Sequence, residues 1–379
     1  MREVMSSRLS SIFHHLAAVS RVSCLNIMPF KERGLAVVPT LCQATMRDLL
    51  KRLAGWFCLI PVLSSGCHRD HSQSMLQPAG PAAAEIAWLS WLLIAICTGI
   101  FVAVMALLGV AVLKKSGLPS HADFSAKVQP LGQRFVVMTG LVFPTMVLVT
   151  ILLLSVKTQV ALTPPETSEN VRVVGHMWWW EVHYPDHGIT IANEIRLPVG
   201  EPVRIELESA DVIHSLWIPN LQGKMDLIPG NSNILWLQAD RPGDYRGVCA
   251  EYCGIQHAKM GLVVVSQPRA EYDQWLAERQ EPTLQDSPQV QRGKEVFFES
   301  TCHNCHAIAG TDAIASRGPD LTHVGNRRTL GAGLLPNNPA NMKDWISQPQ
   351  MLKPGSLMPK TDVSPEDLLA LVEYLESLQ

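Results

Sequence analysis

The run Cys249-Ala250-Glu251-Tyr252-Cys253-Gly254-Ile255-Gln256-His257-Ala258-Lys259-Met260 gathers two thiols, an imidazole and a thioether into one short loop. Soft sulfur ligands combined with imidazole favour copper over magnesium or calcium. One Cys with a His and a Met would describe a mononuclear copper site. The second Cys, four residues on, lets both sulfurs bridge two copper ions, each needing an outer His or Met and one further donor. That donor must come from another loop, and Asp211-Val212-Ile213-His214 offers His214 just beyond the apolar run 203–207. The same residues admit two other readings, a Cys249–Cys253 disulfide in an oxidising compartment and zinc held by two Cys and two His. Neither needs a methionine at that place, so the spacing Cys-x3-Cys-x3-His-x2-Met favours copper.

Around this loop, short β-branched and aromatic runs at 171–174, 189–197, 203–207, 234–237 and 262–265 alternate with turn clusters such as Pro198-Val199-Gly200 and Pro229-Gly230-Asn231. Strands at this spacing predict an all-β sandwich over residues 168–267. Residues 268–289 are polar and charged and are expected to be a linker, with 271–279 helical. Three consecutive tryptophans in Gly175-His176-Met177-Trp178-Trp179-Trp180 are costly to leave in water and should face another surface; sandwich core plus a membrane-interface belt is the ordinary alternative.

The 379 residues suggest two or three domains. Basic and acidic residues number 31 and 34, so no basic footing for nucleic acid exists, and the apolar content of 47% excludes a disordered chain. The charged fraction is only 17%, as expected of a protein that is part membrane and part water-soluble. Runs 86–113 and 135–156 contain no charge and, at 1.5 Å per residue, reach roughly 40 Å and 33 Å, enough to span a bilayer. Pro144 is expected to bend the second. Between them lie Lys114, Lys115, Lys127 and Arg134 against Asp123, which puts the loop in the cytoplasm and both termini outside. Trp88 and Trp91 suit an interfacial anchor or a partner helix. Neither run contains a histidine, so this chain alone cannot ligate a haem through His inside the membrane. Ahead of the hairpin, 46–66 has the basic flank, short apolar core and small residues of an export signal, and Ser64-Ser65-Gly66-Cys67 resembles a lipobox that would leave Cys67 lipidated. Residues 67–85 are expected to be a linker, and 1–45 carry no assignable function.

The last unit, 290–379, holds Cys302-His303-Asn304-Cys305-His306, the spacing for covalent haem c. Two thiols form thioethers and the adjacent imidazole binds iron. A zinc knuckle is the alternative. A methionine should be the sixth ligand, and of Met342, Met351 and Met358 the last, in Met358-Pro359 shortly before a final amphipathic helix, is favoured. His303 is expected at the surface, and His323 has no assigned role.

Residues 86–267 resemble subunit II of cytochrome c oxidase, whose cupredoxin domain carries the binuclear copper centre CuA. Residues 290–379 resemble a class I cytochrome c, and oxidases with such a domain fused to subunit II are the best match. The resemblance implies CuA ligands His214, Cys249, Cys253, His257, Met260 and the carbonyl of Glu251, whose side chain would reach a magnesium shared with subunit I. It implies that Trp178 admits electrons from cytochrome c, although Trp179 stands where the family usually has tyrosine. Asp226 would be an interface acid or a solvated turn residue. Pro319 sits where class I cytochromes support the axial His306. Val137 stands where many members carry an acid at the mouth of a proton path. The implied function is the electron-accepting subunit of a respiratory haem–copper oxidase in a bacterial plasma membrane. Electrons from cytochrome c would pass through haem c and CuA to subunit I, with subunit III also in the complex, and dioxygen would be reduced to water with proton translocation. Neither metal site has an open coordination position, so oxygen chemistry belongs to another polypeptide. Alternatives are the CuA subunit of a nitric oxide reductase and a membrane-anchored electron shuttle or copper-binding protein without an oxidase core.

Overall fold

The computed structural model describes residues 73–113, 129–167, 169–279 and 287–379. The expected export signal, Cys67 and residues 114–128 of the charged loop lie outside them, while Arg134 of that loop falls in a described helix. Helix α1 (Pro81–Leu113) packs along a second helical run made of α2 (Gln129–Val137), a π-turn (Met138–Val142) and α3 (Phe143–Ala161). Both runs are long and apolar enough to cross a membrane. Their side chains are apolar all round and exposed in the chain by itself, including Trp88, Trp91, Leu107 and Leu148, the signature of helices covered by lipid or partner helices. Pro144 lacks an N–H, and in a regular helix its ring would press on the carbonyl of Gly140. The π-turn that ends at Val142 takes up this conflict.

The expected linker 67–85 is corrected at its described end. α1 starts at Pro81, and the segment before it lies on the sandwich. Asn220 Nδ2 donates to the carbonyls of Ser74 (3.2 Å) and Gln77 (2.9 Å), and Ala79 N–H donates to the carbonyl of Asn220. Gly80 lies so close to the Gln238 carbonyl that a Cβ would be 2.1 Å from its oxygen.

Two five-stranded sheets form the sandwich. The strands are β1 (Asn170–His176), β2 (Trp179–Tyr184), β3 (Ile189–Ala192), β4 (Glu194–Pro198), β5 (Val203–Ser209), β6 (His214–Trp217), β7 (Met225–Leu227), β8 (Asn233–Leu237), β9 (Gly243–Cys249) and β10 (Gly261–Gln267). Sheet orders are β3-β2-β1-β5-β8 and β4-β10-β9-β6-β7, with β1/β5 and β4/β10 parallel and the other pairs antiparallel. Period-two alternation turns Val171 and Val173 inward on β1, and Val203, Ile205 and Leu207 inward on β5, all of them buried. The second linker expectation is also corrected. Residues 269–278 form α4 (Arg269–Glu278), whose Tyr272, Trp275 and Leu276 join the sandwich core. Tyr272 and Trp275 close the sandwich beneath Tyr184, and Arg196 and Arg279 lie over the Trp275 ring.

The C-terminal unit is helical, with α5 (Pro288–Glu299), α6 (Pro339–Ser347), α7 (Pro349–Leu352), α8 (Pro365–Ser377) and a two-stranded β11 (Thr329–Leu330) and β12 (Leu335–Pro336). Ser287 and Ser364 cap α5 and α8 by accepting from the N–H groups of Val290 and Asp367. The two helices cross where Gly293 meets Ala370. A Cβ there would lie 2.0 Å from the Ala370 carbonyl oxygen, so only glycine permits the approach that sets Phe297 against Tyr374.

Candidate metal and haem centres

The sulfur-rich loop is the hairpin between β9 and β10, central strands of their sheet. Cys249 N–H donates to the Met260 carbonyl (3.0 Å), closing the loop on itself, while Ala250 N–H donates to the Ser215 carbonyl (2.8 Å), tying it to β6. β6 begins at His214 and runs beside β9 with Leu216 opposite Cys249. His214 from one loop and Cys249 from another therefore meet at one end of the sandwich.

Cys249 Sγ and Cys253 Sγ are 3.8 Å apart, well beyond the ~2.05 Å of a disulfide, and both are free. Donors divide around this pair. Near Cys249 Sγ lie His214 Nδ1 at 4.0 Å and the Glu251 carbonyl at 3.1 Å. Near Cys253 Sγ lie His257 Nδ1 at 3.7 Å and Met260 Sδ at 3.8 Å. His214, Cys249 and Cys253 present ligand atoms within 4.8 Å of one another. Two donor groups about a shared sulfur pair fit two soft ions better than one tetrahedral zinc. The neighbouring Cys253 sulfur, reinforced by His214, holds the Cys249 thiol well below its usual range, which favours the thiolate that binds metal.

Asp211 has a role that the sequence reading missed. Its Oδ1 accepts from His214 Nε2 (2.8 Å) and its Oδ2 from Met177 N–H (2.7 Å). A carboxylate on one imidazole nitrogen leaves the other, Nδ1, facing Cys249, the arrangement that orients metal-binding histidines. The spacing of three residues before His214 was the available signal. Gly175 makes room: a Cβ there would be 2.8 Å from His214 Cδ2.

The tryptophans are covered by this chain itself rather than by a membrane-interface belt. Trp180 lies in the core. Trp179 stacks on His176 (4.3 Å, 7°) and packs on Ala332 of the C-terminal unit. Trp178 is 9% exposed, and its indole Nε1 donates to the Cys253 carbonyl at 2.9 Å. The Glu251 carboxylate pairs with Lys224 (3.4 Å), which also faces Asp226 (3.9 Å).

The second centre is a cavity of about 640 Å³, within the ~300–1,000 Å³ of cofactor sites. Cys302, Cys305, His306, Met342 and Met358 line it together with Trp178 and Trp179. His306 Nδ1 lies 2.7 Å from the Pro319 carbonyl, which leaves Nε2 as the ligating nitrogen, and burial lowers its pKa and so keeps the ring neutral. A Cβ on Gly318 would be 2.7 Å from His306 Cε1, so glycine admits the ring. Arg327, also in the wall, is half-buried with its Nε out of solvent and unpartnered, an orphan donor that a haem carboxylate would satisfy. Paired thiols, a neutral imidazole, a thioether and a half-buried cation around one cavity fit haem c. Among the methionines, Met351 is exposed, Met342 belongs to the core of the domain, and Met358 is half-buried in the loop before α8. His303 is not a plain surface residue, since its ring lies tilted against Phe298. His323 is buried, with Nδ1 3.1 Å from the Gln379 carbonyl, which pins the C-terminus.

Two apolar helices, a cupredoxin-like sandwich with clustered thiol, imidazole and thioether groups, and a helical domain whose cavity fits haem c together match the class of membrane-anchored redox proteins. Comparison with known proteins agrees. Residues 188–267 match the family model "Cytochrome C oxidase subunit II, periplasmic domain" and residues 290–379 match "Cytochrome c". Cytochrome c oxidase subunit 2 of Alkalihalophilus pseudofirmus is 36% identical over 327 residues, covering 83% of this chain and 93% of the relative. The Bacillus subtilis counterpart is 33% identical, covering 86% and 98%. Among solved structures, the periplasmic domain of subunit II of cytochrome oxidase of Bradyrhizobium japonicum is 28% identical, with TM-score 0.30 over 31% of this chain and 96% of that one. A haem–copper terminal oxidase dimer gives 25% identity and TM-score 0.29 over 34% and 98%. The chain belongs to the cytochrome c oxidase subunit II family, with a cytochrome c domain at its C-terminus.

Proposed function

We propose that this chain is the electron-accepting subunit of a haem–copper oxidase, taking electrons from cytochrome c and delivering them to subunit I, with subunit III in the same complex. In this reading His214, Cys249, Cys253, His257, Met260 and the Glu251 carbonyl hold CuA, Cys302 and Cys305 attach haem c, and His306 and Met358 ligate its iron. When bound, both groups would supply one-electron transfer, and dioxygen reduction to water with the accompanying proton movement is assigned to subunit I. The chain's own residues set geometry. The hairpin holds the sulfurs, Asp211 orients His214, and the Pro319 carbonyl orients His306. The sandwich and the cytochrome domain both contribute to the cavity wall.

Trp178 bridges the two centres, lining the haem cavity and donating to the Cys253 carbonyl, which supports its role in admitting electrons to copper. Val137, at the end of α2, carries no acid, so proton uptake is assigned to another route. Exposed Glu251 and Asp226 suit a contact with subunit I, and a magnesium there would displace Lys224 from the acids. Both termini and the redox domains are assigned outside the membrane, on the charge of the connecting loop.

The observation that carries this reading is the sulfur pair at 3.8 Å with its divided donor set. The purified complex should contain two coppers and one covalent haem per chain, show the mixed-valence copper signal and consume oxygen with reduced cytochrome c. Zinc in place of copper overturns the metal assignment, and nitric oxide consumption without oxygen uptake overturns the oxidase assignment.

A further inference from the structure

Among the described residues, Lys353 is the one lysine with a fully buried side chain, 3% exposed. It lies between α7 and Met358, and its ammonium joins two domains. Nζ donates to the Trp178 carbonyl of the sandwich (2.8 Å) and to the Gly331 carbonyl of the cytochrome domain (3.0 Å). An ammonium has three N–H donors, so one remains. Two neutral carbonyls do not balance a charge. Burial, with Lys259 nearby, pushes the lysine down to about 8 although the Cys253 sulfur pulls the other way, and no carboxylate pairs with it among the described residues. Lys353 also lines the 640 Å³ cavity with Cys302, Cys305, His306 and Met358. A buried cation without an acidic protein partner, in the wall of a cofactor cavity, is set to receive an anion from inside that cavity.

We propose that Lys353 is a positioning residue that takes a carboxylate of the bound haem c and ties that edge of the haem to the copper loop through the backbone of Trp178. The tie continues without a gap, because the Trp178 indole donates to the Cys253 carbonyl. The loop carrying Lys353 is clamped on both sides. Lys259 Nζ donates to the Leu352 carbonyl at 2.8 Å, and Gln256 Nε2 donates to the Pro354 carbonyl. Both clamps arise within the copper-binding hairpin, so the haem-side and copper-side loops are fixed as one piece. The path carries one electron per event, leaving the haem iron oxidised by one and the copper pair reduced by one, with cytochrome c as the outside reductant.

The inference rests on the proposed haem and copper assignments, and its test separates the two. The intact complex is prepared as wild type, Lys353→Met, Lys353→Arg and Trp178→Phe. Haem and copper content, the haem c midpoint potential, and the haem-to-copper transfer rate after flash photoreduction of the haem are measured. Loss of the cation in Lys353→Met should lower the haem potential and slow transfer, and Lys353→Arg should restore both. Trp178→Phe, which keeps the carbonyl, should slow transfer and leave the haem potential unchanged. An unmoved haem potential in Lys353→Met overturns the carboxylate contact whatever the rate does, and failure of Lys353→Arg to restore it reduces Lys353 to a packing strut. Wild-type protein lacking haem or copper overturns the underlying assignments instead.

Discussion

Cys253 and Cys249 stand close enough to share ions and too far apart to be a disulfide, and each has its own donor group. Cys253→Ser should therefore abolish the mixed-valence copper signal and leave haem absorption intact, as read by electron paramagnetic resonance and optical spectra. Met358→Ala should lower the haem potential and remove the sulfur-to-iron charge-transfer band; a surviving band would assign the ligand to Met342. The proposed ligand residues were legible in the sequence because their chemistry depends on residue type and spacing. Asp211 was not, since an acid three residues before a histidine gains meaning only when the backbone bends its carboxylate onto the ring.

Elements show where local pattern misleads. The helix expected at 271–279 is there as α4, but the polar composition of 268–289 read as a free linker, whereas α4 turns Tyr272, Trp275 and Leu276 onto one face against the sandwich and Arg269, Asp273 and Glu278 elsewhere, which averaging along the segment hides. Trp275→Ala should cost about 3–5 kcal/mol, the usual loss for a large buried aromatic, measured by denaturant unfolding of the sandwich. The hairpin of β1 and β2 carries another element-level device. Glu181 lies 3.3 Å from both His176 and His183. Burial alone would raise its pKa, but the bonds to the two histidines outweigh this and hold it at about 2, below the ordinary 4.5. A depressed carboxylate stabilises the fold fully above 4.5 and loses that contribution as pH falls through about 2. Glu181→Gln should thus lower the melting temperature at neutral pH, and its gap from wild type should close near the acid end.

Across the whole molecule, the cytochrome domain is the lid on the tryptophan cluster. Gly261 N–H donates to the Ala332 carbonyl (2.9 Å), Arg328 N–H donates to the Glu194 carboxylate (2.9 Å), and Trp179 packs on Ala332. Cleavage within 280–286 followed by removal of 287–379 should red-shift tryptophan emission as Trp178 and Trp179 meet water; unchanged emission would show that the sandwich buries them unaided. The sequence by itself determined the order of parts: two apolar runs, alternating strands, a copper-type loop, a haem motif. Each depends on periodicity or on donor spacing within one short segment. Tertiary structure alone decided which surface the tryptophans face and that Lys353 crosses between domains. Those contacts join residues as much as 175 positions apart, and such distances are set by packing of whole domains, which no local pattern of residue types encodes.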